Sequence, residues 1–498
     1  MRRNLLLATS VIAGLAGAAV SANAQTATGF NVLGGGSSLA ANLYNRTAQS
    51  IAAMTNVGQN VLTEGMNTVG ATAGAAQGEL GYTADGSGAG QKAFLLQDAT
   101  VHGFTAGLPV SFGASDAYLT QPQVDCWNGV SGACATAGYT APATAGINKG
   151  GPLIQIPAFG TAIVVAHTNA TSKSIELDDN DLCGIFSGKI TDWSGVETGT
   201  AKNRAGQAGP ITVAYRQDGS GTSFLFTQHL AKVCNTTNTA TGVTFSATKY
   251  FADVFGAPTV SGSSHTISTA PSGANFVPAS GSSGVANQLI SGTGIVGYLT
   301  PDFTSIAPNA LSHIAKVASL NSTTPAALTA GRSATDVAAL ALTSPYQFIK
   351  YAKLMNSHSG KAYYPNAGGT TKALTNPNTT DYSPGYPTSK TAALDPTKWI
   401  PQIADPIDGY PIVGYTTLDL ATCYSNTAVN NYVKAFLVQL YLAGNKTNMM
   451  SEGFVTVPSG YSKTISSVFV KGTTPYALDI GNPNVCNTRN LTTTHAGL

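Results

Sequence analysis

Three glycine- and serine-rich segments in this chain each lead directly into a stretch with helical spacing of apolar residues. They are 34–38, 85–90 and 216–223, and the last also contains Arg216 and Asp218. The first turn of a helix has unpaired backbone N–H groups at the positive end of the helix dipole, so a glycine that admits a ligand there makes an anion site. Three such segments with hydroxyls and one guanidinium favour a small tetrahedral oxyanion over a nucleotide or a sugar.

The same segments constrain the fold, because apolar strand-like runs precede them. Strand, glycine turn and helix in succession predict an α/β architecture with ligand sites at the carboxyl ends of the strands. The predicted strands are 107–116, 153–156, 161–166, 211–215 and 294–298, with a break at 157–160. The predicted helices are 40–54, 91–96, 177–186 (ended by Gly188), 224–233, 284–290 and 430–442.

Asp116 follows one of these strands and indicates which oxyanion is preferred. A carboxylate is a poor neighbour for an anion unless it accepts a proton from it. Phosphate near neutral pH still has an O–H to donate, whereas sulfate has none. A buried acceptor facing sulfate would suffer repulsion and a lost hydrogen bond, so this residue predicts discrimination in favour of phosphate.

The first 24 residues have the pattern of a cleavable secretory signal, with Arg2 and Arg3, an apolar run from Leu5 to Val20, and a small-residue end at Ala24. This run is too short for a comfortable membrane span, and no later stretch is apolar and long enough to cross a bilayer. We therefore expect a soluble exported protein, periplasmic or secreted.

Charge and length narrow the class further. The 498 residues include 25 Lys and Arg against 23 Asp and Glu. This balance argues against a nucleic-acid or membrane-surface role, which requires a basic face. The length exceeds what one hydrophobic core usually accommodates, so two domains are expected.

Six cysteines in an exported chain are most simply three disulfides. Fifteen connectivities are possible, and pairing of nearest neighbours is preferred: Cys126 with Cys134, Cys183 with Cys234, and Cys423 with Cys486. The cysteine and histidine spacing fits no zinc site, and we expect neither a metal nor a cofactor.

The chain resembles the phosphate-binding proteins that serve ABC-type phosphate transporters, and more widely the type II periplasmic binding proteins. The similarity covers most of the predicted mature chain, with motifs in family order. The matching stretches are 34–39 with Tyr44, 82–87, 112–117, 182–193, 216–224 and 294–298. The stretch 216–224 matches most closely.

This resemblance implies two α/β lobes that close on phosphate, and it implies a set of ligands. Ser38 stands where threonine is common, which keeps the hydroxyl. Asp218 would hold the Arg216 guanidinium in place without touching the anion. The implied phosphate ligands are Ser38, Leu39, Ser87, Asp116, Arg216, Ser220, Gly221 and Thr222.

The resemblance also implies the domain organisation and partners. The first lobe would combine 26–158 with 410–498, and the second would be 159–409 with a long insertion around 321–403. A further insertion at 121–151 could cover the cleft rim and hinder docking on a permease. The expected partners are inorganic phosphate and an ABC permease, for a monomer that is not an enzyme.

Three alternatives stay open. A phosphoesterase would need clustered metal ligands or a nucleophile beside a base, and neither is evident for Ser87 or Ser220 in the sequence. A secreted phosphate-binding or surface adhesion protein without a permease would explain the insertions. Another oxyanion or an organic phosphonate could occupy the same cleft.

Overall fold

The computed structural model describes the chain in sections separated by gaps. The described residues are 32–40, 80–104, 106–140, 150–167, 177–196, 208–300, 316–317, 396, 399, 404, 412–424, 427–441, 454–457 and 459–470. The predicted signal segment, residues 41–54 of the helix predicted over 40–54, most of the 321–403 insertion and Cys486 lie outside them.

Six strands form the first sheet, in the spatial order β13-β4-β12-β3-β1-β2. They are β1 (Val32–Gly36), β2 (Leu80–Thr83), β3 (Phe112–Ser115), β4 (Leu153–Ala162), β12 (Val413–Ala421) and β13 (Val455–Thr456). β1 is parallel to β2 and β3, whereas β12 runs antiparallel between β3 and β4. The carboxyl ends of β1, β2 and β3 therefore meet at one edge, which is where a parallel sheet places its ligands.

Five strands form the second sheet, in the order β11-β5-β10-β6-β9. They are β5 (Val164–His167), β6 (Thr212–Arg216), β9 (Asn275–Ala279), β10 (Ile295–Leu299) and β11 (Lys316–Val317). A separate hairpin pairs β7 (Thr259–Ser261) with β8 (Ser264–Thr266). β6 is parallel to β9 and β10, so its last residue, Arg216, stands at a carboxyl edge.

Eight α-helices are described. They are α1 (Ser87–Leu96), α2 (Gln121–Trp127), α3 (Ala133–Thr136), α4 (Asp179–Ser187), α5 (Gly221–Val233), α6 (Gly281–Ser291), α7 (Thr427–Tyr441) and α8 (Ser459–Ile465). Short 3₁₀ turns lie at Ala99–His102, Trp193–Gly195 and Phe251–Phe255, and a π turn at Ser466–Val470 follows α8.

Five predicted helices are found with shifted ends. α1, α5 and α6 each begin three or more residues earlier than predicted. Their first turns are therefore formed by the glycine- and serine-rich segments themselves. α4 begins at Asp179, where the Asp178 side chain caps it, and it ends at Gly188 with φ of 78°, a left-handed conformation that glycine favours.

The strand over 107–116 is shorter than predicted, and the predicted break at 157–160 is wrong. β4 runs through Pro157 without interruption. The ladder with β12 shifts register between Thr416 and Thr417, opposite Phe159 and Pro157. The proline, which lacks an N–H, therefore lies at a bulge where no ladder donor is needed. The chain changes sheet after Ala162 instead, at Ile163.

Two of the predicted disulfides are confirmed, Cys126–Cys134 and Cys183–Cys234. The first joins α2 to α3 within the 121–151 insertion. That insertion packs on α1, because Trp127 stacks on Phe94 with ring centroids 4.9 Å apart. Among the described helices, none has the length and apolar character needed to span a bilayer.

Candidate functional site

The edges of the two sheets face each other, and the helix N-termini meet there. α1 follows β2 of the first sheet, while α5 and α6 follow β6 and β9 of the second. Gly88 N–H donates to the Gly219 carbonyl at 2.7 Å, which joins the first turn of α1 to the loop before α5. The N-termini of these three helices therefore come together where the two sheets meet.

On the first sheet, the centre of the site is Asp116, which is 3 % exposed. Ser37 Oγ donates to both of its carboxylate oxygens, at 2.7 and 2.8 Å. Thr416 Oγ1 donates to Oδ1 at 2.7 Å, and Ser87 Oγ to Oδ2 at 3.3 Å. Because Ser37 shares its proton between both oxygens, three hydroxyl protons make four contacts with a group that has about four lone-pair positions. A further donor can be accepted when Ser37 turns to one oxygen.

Burial raises the pKa of Asp116 to about 6, and the hydroxyls of Ser37, Thr416 and Ser87 limit that rise. Arg216 acts in the same lowering direction through its charge, although it makes no hydrogen bond with Asp116 in the structure. At neutral pH the group is therefore a carboxylate.

On the second sheet, Arg216 is 1 % exposed and is held by Asp218 through a two-pronged ion pair. Its Nε donates to Oδ1 at 2.7 Å, and its Nη2 donates to Oδ2. Nη1 donates to Ser282 Oγ at 3.2 Å. A guanidinium has five N–H donors, so two of them are unused by the described residues and can bind an anion.

The Asp218 carboxylate contrasts with Asp116 in its ionisation. Burial alone would raise its pKa, but the charge and hydrogen bonds of Arg216 outweigh burial and lower it. Gly281 N–H adds a further hydrogen bond at 2.9 Å. Burial likewise opposes the charge of Arg216, and the Asp218 carboxylate outweighs it and raises the Arg216 pKa. The pair is therefore charged throughout the neutral range.

The first turn of α5 presents hydroxyls and amides to the same space. Ser220 caps the helix by accepting from Ser223 N–H at 3.1 Å, which leaves its own proton available. Thr222 Oγ1 is buried and finds no partner among the described residues. A buried hydroxyl without a partner costs free energy, so it points to a ligand. Gly221 and Thr222 also have first-turn amides with no helical acceptor.

The first glycine segment brings Ser38 against Ser282 in the first turn of α6. Ser38 Oγ lies 3.0 Å from Ser282 Oγ, and Leu39 is fully buried. Gly36 and Gly86 adopt φ of 125° and 102°, which favour glycine. A Cβ on Gly86 would lie 2.7 Å from Asp218 Oδ2, so glycine at this position allows the turn before α1 to approach Asp218 closely.

Beyond this site, the polar residue Lys249 forms hydrogen bonds that connect α5 to α1. Its Nζ donates to Gln91 Oε1 on α1 at 2.6 Å, and its backbone carbonyl accepts from Ser220 N–H at 2.9 Å. Burial lowers the pKa of Lys249 to about 8 and raises that of nearby Asp419 to about 7. This group links the cap of α5 to the body of α1.

The structure places Ser87 and Gly221 against Asp116, and it joins Ser38 to Arg216 through Ser282, with Asp218 holding Arg216. The other predicted ligands, Leu39, Ser220 and Thr222, are chain neighbours of Ser38 and Gly221. Three contributing residues were not among them: Ser37, Thr416 and Ser282. Thr416 lies 300 residues from Asp116 on an ordinary strand, so no local pattern marks it. Ser282 belongs to a fourth glycine- and serine-rich segment, 280–284, and the criterion used for the other three would have found it.

The sequence also gave no base for Ser87, and here the structure differs. Ser87 Oγ donates to Asp116 Oδ2 and accepts from Asp116 N–H at 3.1 Å. Among the described residues, none places a carboxylate on Ser220 Oγ in this way. Within the described ranges, no group of three or more His, Cys, Asp or Glu side chains could hold a metal ion.

Comparison with known sequences agrees with this arrangement. Alkaline phosphatase L of Pseudomonas aeruginosa is 28 % identical over 490 residues, 98 % of this chain and 99 % of that protein. A phosphate-binding protein from an unknown prokaryotic organism is 30 % identical over 412 residues, 82 % of this chain and 92 % of that protein.

Comparison with solved structures gives the same fold. The high-affinity periplasmic phosphate-binding protein PfluDING, solved with bound phosphate, superposes with a TM-score of 0.59 at 26 % identity. The match covers 92 % of this chain and 98 % of that one. The sequence model of the PBP superfamily domain matches residues 21–365. The chain therefore belongs to the PBP superfamily, a family of binding proteins, and has its α/β fold.

Proposed function

We propose that this protein captures inorganic phosphate between two lobes. The observation that carries the proposal is that groups with opposite hydrogen-bonding roles meet where the two sheets face each other. Arg216 has two N–H donors unused by the described residues and Thr222 an unpartnered hydroxyl, while Asp116 can accept a further proton when Ser37 turns to one oxygen. Hydrogen phosphate offers both acceptor oxygens and an O–H donor, so it can satisfy all three groups.

The named relatives support the same ligand. One sequence relative is named a phosphate-binding protein, and PfluDING was solved with phosphate bound. The ligand set proposed for this chain is the one given by the resemblance: Ser38, Leu39, Ser87, Asp116, Arg216, Ser220, Gly221 and Thr222, with Asp218 holding Arg216.

The proposed lobes are 26–158 with 410–498, and 159–409. The two described sheets are consistent with this division, and β4 continues the first sheet to Ala162 before β5 begins the second at Val164. Phosphate would be enclosed by hinge closure of one lobe on the other.

Export and delivery to an ABC permease complete the proposal. The predicted signal segment at 1–24 and a periplasmic relative support a periplasmic or secreted location. Mass spectrometry of the exported protein tests this, since a mature N-terminus at Gln25 is expected. The 121–151 insertion packs on α1, close to the cleft, so permease docking requires its own binding measurement.

Titration calorimetry of protein stripped of anion by unfolding and refolding tests capture directly. Tight binding of phosphate with no sulfate signal is the expected result. Binding of neither anion by folded protein would contradict the proposal and favour a structural or adhesion role on the same scaffold.

Hydrolysis of phosphate esters is a second candidate, because Ser87 contacts the Asp116 carboxylate. In addition, 98 % of the chain aligns with a protein named alkaline phosphatase L. Release of p-nitrophenol from p-nitrophenyl phosphate measures it. Capture predicts no release above that of a Ser87→Ala control. Turnover that disappears in Ser87→Ala would establish hydrolysis instead.

A further inference from the structure

We propose that the Ser282 hydroxyl is a direct phosphate ligand in addition to the eight residues above. This inference rests on the proposed function, since it concerns the same anion in the same site. It adds a third helix, α6, to the groups that bind the anion.

The position of Ser282 is fixed from both sides. It lies in the first turn of α6 and is 1 % exposed, whereas its neighbour Ser283 is exposed. Gly281 N–H, one residue earlier, donates to Asp218 Oδ1 at 2.9 Å. The carboxylate that orients Arg216 therefore also anchors the N-terminus of α6.

The contacts of Ser282 are with two proposed ligands from opposite sheets. Arg216 Nη1 donates to its Oγ at 3.2 Å, and Ser38 Oγ lies 3.0 Å away. An oxygen that lies within hydrogen-bond distance of both groups occupies the boundary of the space that those groups surround. An anion bound by Arg216 and Ser38 would therefore lie within reach of Ser282 as well.

Counting protons shows why this hydroxyl is suited to an anion. Ser38 and Ser282 carry one hydroxyl proton each, and their mutual hydrogen bond uses one of the two. Arg216 only donates, so it accepts neither. No other hydrogen bond of these two hydroxyls is formed within the described part of the chain. One buried hydroxyl proton therefore lacks an acceptor, and an oxyanion would supply it.

A second buried pair of hydroxyls nearby has the same proton count but different neighbours. Ser223 Oγ and Tyr298 OH lie 2.6 Å apart, and Tyr298 OH also accepts from Arg216 N–H at 3.1 Å. These contacts join the backbone of β6 and the strand residue Tyr298 to the first turn of α5. Their hydrogen bonds hold the scaffold, whereas those of Ser282 connect the proposed ligands.

Phosphate titration of three proteins tests the inference: wild type, Ser282→Ala, and Ser283→Ala as the matched control on the same helix. Loss of a hydrogen bond to a charged group predicts a Kd about 10- to 100-fold higher for Ser282→Ala. Ser283→Ala should match wild type. Equal affinity of all three would overturn the inference while leaving phosphate capture intact, whereas no binding by wild type would overturn both.

A loss of affinity could also arise because Ser282 positions Ser38 or Arg216, so a structural readout is needed. In crystals of the phosphate-loaded wild type, Ser282 Oγ should lie within about 2.5–3.0 Å of a phosphate oxygen. If Oγ contacts only Ser38 and Arg216, it is a positioning residue and the inference is wrong. Thermal melts of Ser282→Ala without phosphate check that the variant is folded.

Discussion

The two sheets contribute one buried aspartate each to the same site, and the two carboxylates are used in different ways. Asp116 on the first sheet is surrounded by three hydroxyls, and burial raises its pKa to about 6. Asp218 on the second sheet is paired with Arg216, and this pairing lowers its pKa despite burial. One carboxylate therefore accepts from neutral hydroxyls, while the other holds a cation and the first turn of α6.

This difference shows how an anion site can be built without an excess of positive charge. Arg216 is offset by Asp218, and Asp116 adds a further negative charge at neutral pH. The attraction for an oxyanion must therefore come from hydrogen bonds and from the helix N-termini of α1, α5 and α6. On the proposed function, selectivity would follow from the same arrangement, since only an anion with its own proton would satisfy Asp116.

The largest expected effect on phosphate affinity comes from removing the Arg216 guanidinium. Arg216→Ala should raise the Kd for phosphate by about 10²- to 10⁴-fold, because two hydrogen bonds from a charged group are lost at about 1.5–3 kcal/mol each. It also leaves the buried Asp218 unpaired, which costs about 3–5 kcal/mol of folding stability.

The double variant Arg216→Gln with Asp218→Asn separates these two effects. It removes both charges together, so its thermal unfolding should lie closer to wild type than that of Arg216→Ala. Calorimetry should still show the loss of phosphate affinity. Tight phosphate binding by a folded double variant would contradict the role assigned to Arg216.

A second variant, Gly221→Ala, tests whether phosphate binding requires close contact between the first turn of α5 and Asp116. A Cβ on Gly221 would overlap Asp116 and Ser87 across the cleft. Gly221→Ala should therefore weaken phosphate binding about 100-fold, the upper range for overpacking of about 3 kcal/mol. Gly284→Ala in α6 is the control, because its Cβ would meet Ala279 at ordinary distances of 3.4 Å and beyond. Small-angle scattering should show phosphate-induced compaction in the control and not in Gly221→Ala.

Asp116→Asn tests the proposed role of Asp116 as a hydrogen-bond acceptor for phosphate. The amide can donate where the carboxylate could only accept, so sulfate should bind and phosphate should bind less tightly. The cost of one unsatisfied buried group, about 2 kcal/mol, predicts a change of about 30-fold in the affinity ratio of phosphate to sulfate. Competition of sulfate against phosphate in calorimetry measures this ratio. An unchanged ratio would refute the acceptor argument.

The surroundings of the two aspartates also differ in how far the sequence could predict them. Arg216, Asp218 and 220–222 are contiguous, so their chemistry is visible in one short segment. The residues that contact Asp116 are as distant in the chain as Ser37 and Thr416, and only the sheet brings them together.

The fold shows the same dependence on range. The class and most elements follow from local patterns of apolar residues and glycines. The break predicted at Pro157 was wrong because the compensating bulge depends on a register with β12, more than 250 residues away. Local rules detect a missing N–H, but only long-range pairing decides whether a donor is needed there.

The pH dependence sharpens the contrast between the two carboxylates. As the pH falls through about 6, Asp116 gains a proton and becomes a donor, so sulfate binding should appear in wild type. Asp218 stays ionised in this range because its pKa is lowered, so the Arg216 clamp persists. Sulfate titrations at pH 8 and pH 5 measure the change, and Asp116→Asn should bind sulfate at both.

The same ionisation has a defined sign in folding. The Asp116 pKa is raised on folding from 3.8, so protonation favours the folded state, and the penalty of the buried carboxylate is present above about pH 6. Wild type should therefore lose stability relative to Asp116→Asn as the pH rises from 4 to 7. Thermal melts in phosphate-free buffer check this. A difference in melting temperature that does not vary with pH would contradict it.

The smallest expected effect concerns a single hydroxyl on Asp116. Thr416→Val removes one of the three donors that stabilise the charged carboxylate, a net contribution of about 0.5–1.5 kcal/mol, or up to about one pKa unit. Sulfate binding should then appear at a higher pH than in wild type. Thr417→Val is the matched control, because Thr417 is equally buried but donates to the Ser115 carbonyl at 2.8 Å. Equal shifts in the two variants would mean that the strand, and not the hydroxyl on Asp116, sets the ionisation.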